Sequence, residues 1–412
     1  MVRRAHNPIL MVIVVCLLCS SSCRAESPSP AAENPAPAQE KAMILYSKLY
    51  ADFQQTSRQT QTTSASGTQL WFAATPDSLR QYPPSVIIVT DEGLTVEYPD
   101  RFRRMGYDGT PAWEIPRDSI MAIVAHDGVI YYRSSDHRLH GVDARQRQML
   151  GEFYFPSCFD QCRVQLVMPV SGSHFIMQTF NPAREVEIGY PPEKDSHTLA
   201  LMGPDDWNDW DWLHEFEGKA LPGLASKDNS RLILLNDQSQ VMVFDAKTGK
   251  YTTFEIPKAG FRAASIDYND NLVVILATTE KELKLCSYTL AGEQNWEYIL
   301  PGKPGRGGFQ PPAIDGENRI FAVIKGTVMA FDKGNLLWQK PAPPAQFGQY
   351  LTILGDNSLL VVGGNEIDHW DRDGNPRFEV VLDEGEQITT PPVIDAKGRI
   401  YVGTFSGIYC LE

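Results

Sequence analysis

The chain has 412 residues, 42% of them hydrophobic, which is enough apolar material for one large core or several small ones. Its formal net charge is −14, from 37 Lys and Arg against 51 Asp and Glu. That balance excludes non-specific binding to nucleic acid, which needs clustered cations to neutralise phosphates. An acidic surface otherwise implies solubility and nothing more specific.

Residues 1–22 read as an export signal. Arg3 and Arg4 supply the positive start, and Ile9 to Leu18 is an apolar run of ten, too short for a stable bilayer anchor. The following Ser20-Ser21-Ser22-Cys23 resembles a bacterial lipoprotein signal, which implies lipidation at Cys23. Ser20 stands where that family usually carries Leu. Plain cleavage after Ala25 and an uncleaved anchor are the alternatives. Removing Arg3 and Arg4 would take the charge from −14 to −16.

Residues 23–67 form a second region. The stretch 26–40 is mostly Pro, Ala, Ser and Glu and reads as a disordered tether. The pattern over 41–59 predicts a helix, with Met43, Tyr46, Tyr50 and Phe53 near one face and Leu45 and Leu49 beside it. It either packs on the body of the protein or docks a partner. Thr62–Gly67 is a polar linker.

From Thr68 to Glu412, strand signals alternate with turns and no long helix interrupts them. Strands are expected at Thr68–Thr75, Val86–Val89, Arg101–Tyr107, Ser119–Ile123, Val129–Arg133 and His137–Val142. Aromatic residues mark a period at Trp71, Trp113, Phe153, Trp212, Phe254, Trp296, Trp338 and Phe378, in steps of 42, 40, 59, 42, 42, 42 and 40 residues. A Gly sits four residues ahead of several of them, at Gly109, Gly292, Gly334 and Gly374. About 40 residues holding four short strands is the length of one propeller blade.

The tail, TTPPVIDAKGRIYVGTFSGIYCLE, repeats the pattern of Gln310–Trp338 but stops after three strands. The missing strand is expected to be Thr68–Thr75, which puts Trp71 in register and removes two exposed sheet edges. The expected fold is therefore all-β, an eight-bladed β-propeller of four-stranded antiparallel blades over residues 68–412. A seven-bladed ring is the alternative count.

The segment Asp245-Ala-Lys-Thr-Gly-Lys resembles the Ala-x-Asp-x-x-Thr-Gly-Lys-x-x-Trp repeat of pyrroloquinoline-quinone (PQQ) enzymes and their non-enzymatic relatives, with Phe254 at the Trp position. The tail and Gln310–Trp338 resemble that repeat more closely. The resemblance implies a PQQ-like propeller. Quinone enzymes of this fold hold PQQ and Ca²⁺ near the axis, and many stack the quinone on a ring of two adjacent cysteines. No adjacent Cys pair exists here and most inter-blade loops are short, so neither PQQ nor Ca²⁺ is expected.

No catalytic constellation is legible. The propeller histidines are scattered, and His137 and His140 fit a turn better than a metal site. There is no nucleophile elbow, phosphate loop or dinucleotide fingerprint. Gly302–Gly308 lacks the helix N-terminus an anion site would use, and Asp267–Asn271 lacks the later Gly and Glu of a calcium loop. Cys158 and Cys162 flank a short loop and would bridge in an oxidising compartment. Cys286 and Cys410 are expected as buried free thiols.

Blade three carries the insertion in the 59-residue step. A long loop is expected at Asn181–Thr198. Asp205, Asp206, Trp207, Asp209 and Trp210 form an alternating aromatic–acidic stretch that either packs as a strand or binds a ligand or partner. The connections between blades share one face with the second-to-third-strand loops. Phe261, Arg262, Arg306, Phe309, Phe347 and Gln349 are expected there, near the axial mouth.

The resulting expectation is an exported, lipid-anchored, monomeric, non-catalytic propeller that displays loops to a protein partner in the bacterial envelope. It resembles the propeller lipoproteins of that compartment. The alternative is a small-molecule binder at the axial mouth, whether quinone enzyme, sensor or carbohydrate binder.

Overall fold

In the computed structural model, the alternation of apolar and polar residues becomes 32 short strands among the described residues. The structure describes residues 59, 61–63, 66–75, 83–90, 93–98, 101–116, 123–126, 129–133, 138–143, 149–154, 163–170, 174–181, 195–202, 210–221, 223–256, 259–304, 309–346 and 348–412. The export signal, Cys23, the tether, Cys158 and Cys162 lie outside the described residues, as does the expected helix apart from its last residue, Gln59. Gln59 is not helical, and its backbone N–H donates to Ile353 O at 2.7 Å.

Among the described residues the strands form eight four-stranded antiparallel sheets. Seven run inner to outer in chain order. The eighth is built from both ends of the propeller: Gln69–Ala74 pairs with Gly407–Leu411, which continues to Ile400–Gly403 and Val393–Ile394. Trp71 lies opposite Cys410, and Thr68 and Glu412 exchange both backbone hydrogen bonds at 2.7 Å. The expected closing strand is therefore in place.

Val86–Val89 and Val129–Arg133 fall where the sequence puts them. Arg101–Met105 stops two residues early because the turn Gly106–Thr110 starts there, with Gly106 N donating to Thr110 O. The described part of the first strand of blade two is Ile123–His126, paired with Val129–Tyr132; of the expected Ser119–Ile123, all but Ile123 lies outside the described residues. Its third strand is Arg138–Asp143, one residue later than expected. In blade three, Asn181 pairs with Ser196, so the expected 181–198 loop is shorter at both ends.

Cores form between blades, not within them. Leu224, Ile233 and Val243 of blade four pack with Ile266, Val274 and Leu276 of blade five. Blade five joins six in the same way, six joins seven, and seven joins eight through Leu360, Val362, Ile394 and Ile400. Blade eight joins blade one through Tyr401, Cys410, Ile87 and Val96. Outer strands alternate exposed and half-buried residues, as Gln294–Leu300 does, because only one face meets a neighbour. Cys286 and Cys410 are free and buried, and burial pushes their thiols up to about 12 and about 11.

Two repeated joints explain the sequence period. The first uses the outer-strand aromatics. A Cβ on Gly109 would lie 3.0 Å from Trp71, on Gly249 2.7 Å from Trp212, on Gly292 2.8 Å from Phe254, and on Gly334 3.0 Å from Trp296. Each ring lies on the turn of the next blade, and the indole N–H of Trp71, Trp212 and Trp338 donates to a carbonyl of that turn, at Tyr107, Ala246 and Arg372. The second joint uses the Pro-Pro pairs. Ser265 Oγ donates to Pro312 O, Thr352 Oγ1 to Pro392 O, and Thr389 Oγ1 to Pro84 O, each from one blade to the start of the next.

The turns between first and second strands are stapled too. Asn318 Oδ1 accepts Tyr268 N of the preceding blade at 2.8 Å, and Asn357 Oδ1 accepts Gly316 N at 3.1 Å. Asp267–Asn271 belongs to this set: Asp267 Oδ1 accepts the amides of Asn269 and Asn271. The same pattern recurs at Asp315 and Asp395. It is a repeated turn.

Gly292 combines a φ of 93° with the ring contact, while Gly385 has a φ of 91° and open space where a Cβ would sit. Gly385→Ala is expected to destabilise through backbone strain alone, by about 1 kcal/mol. Gly292→Ala adds displacement of Phe254 and is expected to lose about 2–3 kcal/mol. Denaturant melts of the two variants check this; equal losses would remove the ring joint from the account.

Candidate interaction face

The structure places the residues expected near the axial mouth in unlike roles. Phe261 lies in the first strand of blade five, Ala259–Ile266, half-buried against the core shared by blades four and five. Phe309 is likewise half-buried against the core of blades five and six. Both rings pack more than they display. Arg262 is exposed because a β-bulge between Phe261 and Ala263 pushes it out of the ladder with the second strand. Gln349 begins the first strand of blade seven; its Nε2 donates to Pro343 O at 2.6 Å, and its own carbonyl accepts Gln310 Nε2. Arg306 and Phe347 lie outside the described residues.

In blade three, Trp210 opens the outer strand Trp210–Glu217 and pairs with Met202. The strand expected over 205–212 is thus described for its final part, while Asp205, Asp206, Trp207 and Asp209 lie outside the described residues. Trp212 is one of the repeated joint aromatics. It begins a cluster with His214, Phe216, Phe244 and Tyr251, whose rings stand 4.8–6.4 Å apart. His214 Nε2 meets Gly249 O at 2.9 Å, tying the cluster to the turn of blade four.

Sequence reasoning missed a shallow, open cleft of about 340 Å³ at that turn, lined by residues that include Arg231, Asp245, Lys250, Tyr251 and Leu290. Tyr251 is 45% exposed. Asp245 is no base, because the Thr248 hydroxyl and amide both donate to it and hold its carboxyl below the usual range. The cleft sets the cationic side chains of Arg231 and Lys250 beside the exposed Tyr251 ring. The signal available in the sequence was Tyr251 opening the outer strand Tyr251–Glu255 directly after the Asp245–Lys250 turn.

One electrostatic arrangement stands out in blade seven. Asp368 lies opposite Glu379 on the neighbouring strand, with Glu366 two residues away. Burial first, then repulsion from Glu379 and Glu366, raises its carboxyl to about 6. Next to it, His369 points to the other face, buried, with Nε2 2.9 Å from Ser358 Oγ. Burial first, then the Arg377 charge, lowers its imidazole to about 4. Among the described residues, no group of three or more His, Cys, Asp or Glu is arranged to hold a metal ion.

Comparison with known proteins then bears on this geometry. A family model described as outer membrane protein assembly factor BamB matches residues 204–349. BamB from Moraxella catarrhalis is similar at 14% identity and TM-score 0.56, over 84% of this chain and 96% of that one. The computationally designed Ika8 protein is similar at 12% identity and TM-score 0.60, over 84% and 99%. The Dos1 propeller is similar at 11% identity and TM-score 0.53, over 90% and 94%. Residues 204–349 therefore carry the PQQ-like repeat, on a chain whose fold is a β-propeller. At these identities the solved structures show the fold alone. Among curated proteins the comparison found no match.

The matched stretch of the PQQ-like propeller runs from just ahead of Trp212 to Gln349. It spans the three equal steps Trp212, Phe254, Trp296 and Trp338, and begins after the insertion of blade three.

The pH dependence of blade seven can be separated by mutation. A carboxyl with a raised folded-state value weakens the fold as pH rises from about 4 through about 6, whereas a histidine with a lowered value weakens it as pH falls from about 6.5 through about 4. The two slopes oppose each other in wild type. Asp368→Asn is expected to stabilise at pH 8, on the order of 1 kcal/mol after allowing for solvent screening at this half-buried site, and to be neutral near pH 3.5. Melting curves across pH check it; a gain of equal size at both ends would refute the electrostatic origin.

Proposed function

We propose that this chain is an exported, lipid-anchored, non-catalytic propeller that presents its loop face to a protein partner in the bacterial envelope, acting as a monomer. The observation that carries the reading is the match of residues 204–349 to the family described as outer membrane protein assembly factor BamB. A start with the features of an export signal ending at Cys23 supports it. In this reading Cys23 holds the lipid and residues 24–58 are the connection to the disc.

The physical basis is preorganisation. Inter-blade hydrogen bonds from Ser265, Thr352, Thr389, Asn318 and Asn357 fix each blade against the next. Loops mounted on such a frame lose little further freedom when a partner arrives, so more of the contact energy appears as affinity. Arg262, lifted out by its bulge, is the described residue of the expected face best placed to meet a partner.

The test is intact mass and ultraviolet–visible spectroscopy on protein extracted by detergent from its native host, followed by crosslinking. The expected result is an acylated chain starting at Cys23, no quinone absorbance, and a crosslinked envelope protein. An unacylated chain starting near Glu26 would overturn the anchor. A stoichiometric quinone band would overturn the scaffold reading in favour of a small-molecule binder at the axial mouth.

A further inference from the structure

The residues just ahead of the closing strand do more than link. Gln59 is 2% exposed and sits between the first strands of blades seven and eight. Its backbone N–H donates to Ile353 O of blade seven at 2.7 Å. Its side-chain amide faces blade eight: Nε2 donates to Pro392 O at 2.9 Å, and Oε1 accepts Ile394 N at 2.9 Å. Gln61 O accepts Gly355 N at 2.8 Å, and Thr63 Oγ1 donates to Gly398 O at 2.6 Å. Further along, Gly67, with a φ of 85°, takes the place a turn glycine holds in other blades, beside Phe378 and Val380 of blade seven. Thr68 then enters the outer edge of blade eight.

We propose that Gln59 and Gln61–Thr63 form an inner latch that closes the ring a second time, with Ser66–Thr68 leading from it to the outer closure. The outer closure is the pairing of Gln69–Ala74 with Gly407–Leu411. The inner closure is the Gln59 amide, which satisfies one buried acceptor and one buried donor of blade eight while its backbone bonds to blade seven. The latch lies upstream of the outer strand, so a pull on residues 1–58 is borne first by buried hydrogen bonds at the inner wall. The outer pairing, an edge strand that would otherwise peel from its first residue, is kept out of the load path. This holds whether or not Cys23 carries a lipid.

The bonds of this seat constrain what can replace Gln59. Glutamate at 59 could still accept from Ile394 N but could not, when ionised, donate to Pro392 O. Alanine would leave Ile394 N–H without its acceptor in a buried site, which is expected to raise local opening roughly tenfold or more.

Hydrogen exchange followed by mass spectrometry on the full chain tests the latch. In Gln59→Ala and Gln59→Glu, exchange is expected to rise roughly tenfold in residues 352–355, 392–398 and 69–74, with blades four to six unchanged. A uniform rise over all blades, or no rise at the blade seven–eight seam, would overturn it. Should both variants fail to fold, wild type still decides: the amides of Gln59 and Ile394 are expected to be strongly protected, and exchange there at the rate of an unstructured chain would overturn the proposal. Lipid and partner assays take no part in this readout, so its failure is separate from failure of the scaffold reading.

Discussion

A ring on a turn is the contact that the propeller depends on. Trp71, Trp212, Phe254, Trp296 and Trp338 each lie against the glycine turn of the next blade, and the indole N–H of Trp71, Trp212 and Trp338 bonds to that turn. The glycine has no Cβ to hold the ring away, and its positive φ bends the backbone under it. Because each blade buries its faces only against its neighbours, the joint sets both the distance and the tilt of successive sheets. The Pro-Pro carbonyls fasten the inner ends of the same sheets. Proline has no N–H to give to a ladder, and the carbonyls of Pro312 and Pro392 accept from the Ser or Thr hydroxyl of the preceding blade.

This is why so much of the fold was legible in the sequence. Trp71, Trp113, Phe153, Trp212, Phe254, Trp296, Trp338 and Phe378 all occupy outer strands, because one joint imposes one residue type at one interval. Trp71 betrayed the closure because it obeys the interval although it stands at the other end of the chain. Strand limits in blade two were less legible. There the apolar signal spreads over Ser119–His126, of which the described part, Ile123–His126, pairs with Val129–Tyr132.

The latch was not legible. Gln59, Gln61 and Thr63 look like a polar linker, since their partners are backbone atoms of Ile353, Pro392, Ile394, Gly355 and Gly398, about 300 residues away in the sequence, and backbone atoms leave no trace in composition. The candidate face was half legible. Sequence position put Phe261, Arg262, Phe309 and Gln349 near the starts of blades, but whether a side chain packs or projects depends on one bulge. Arg262 projects because the ladder slips there, and Phe261 beside it faces the core. The cleft at Tyr251 needed two blades to be placed side by side before it existed.

The distribution of charge follows the same architecture. Ionisable groups set in the joints are paired: Arg372 reaches from blade seven to the fully buried Asp315 of blade six at 2.6 Å, and Arg319 answers to Asp373 at 2.8 Å. Removing one partner of the first pair would strand a charge in a buried site, so such pairs act as keys between particular blades more than as net stabilisers. Asp368 breaks the pattern: the groups that face it are Glu379 and Glu366, and burial has raised its carboxyl. Charged contacts such as these give the seam between blades six and seven a chemistry of its own on top of the shared ring-on-turn joint. The loops that rise from that seam then inherit fixed positions from the joints and distinct surroundings from the charges, which is the combination a display surface requires.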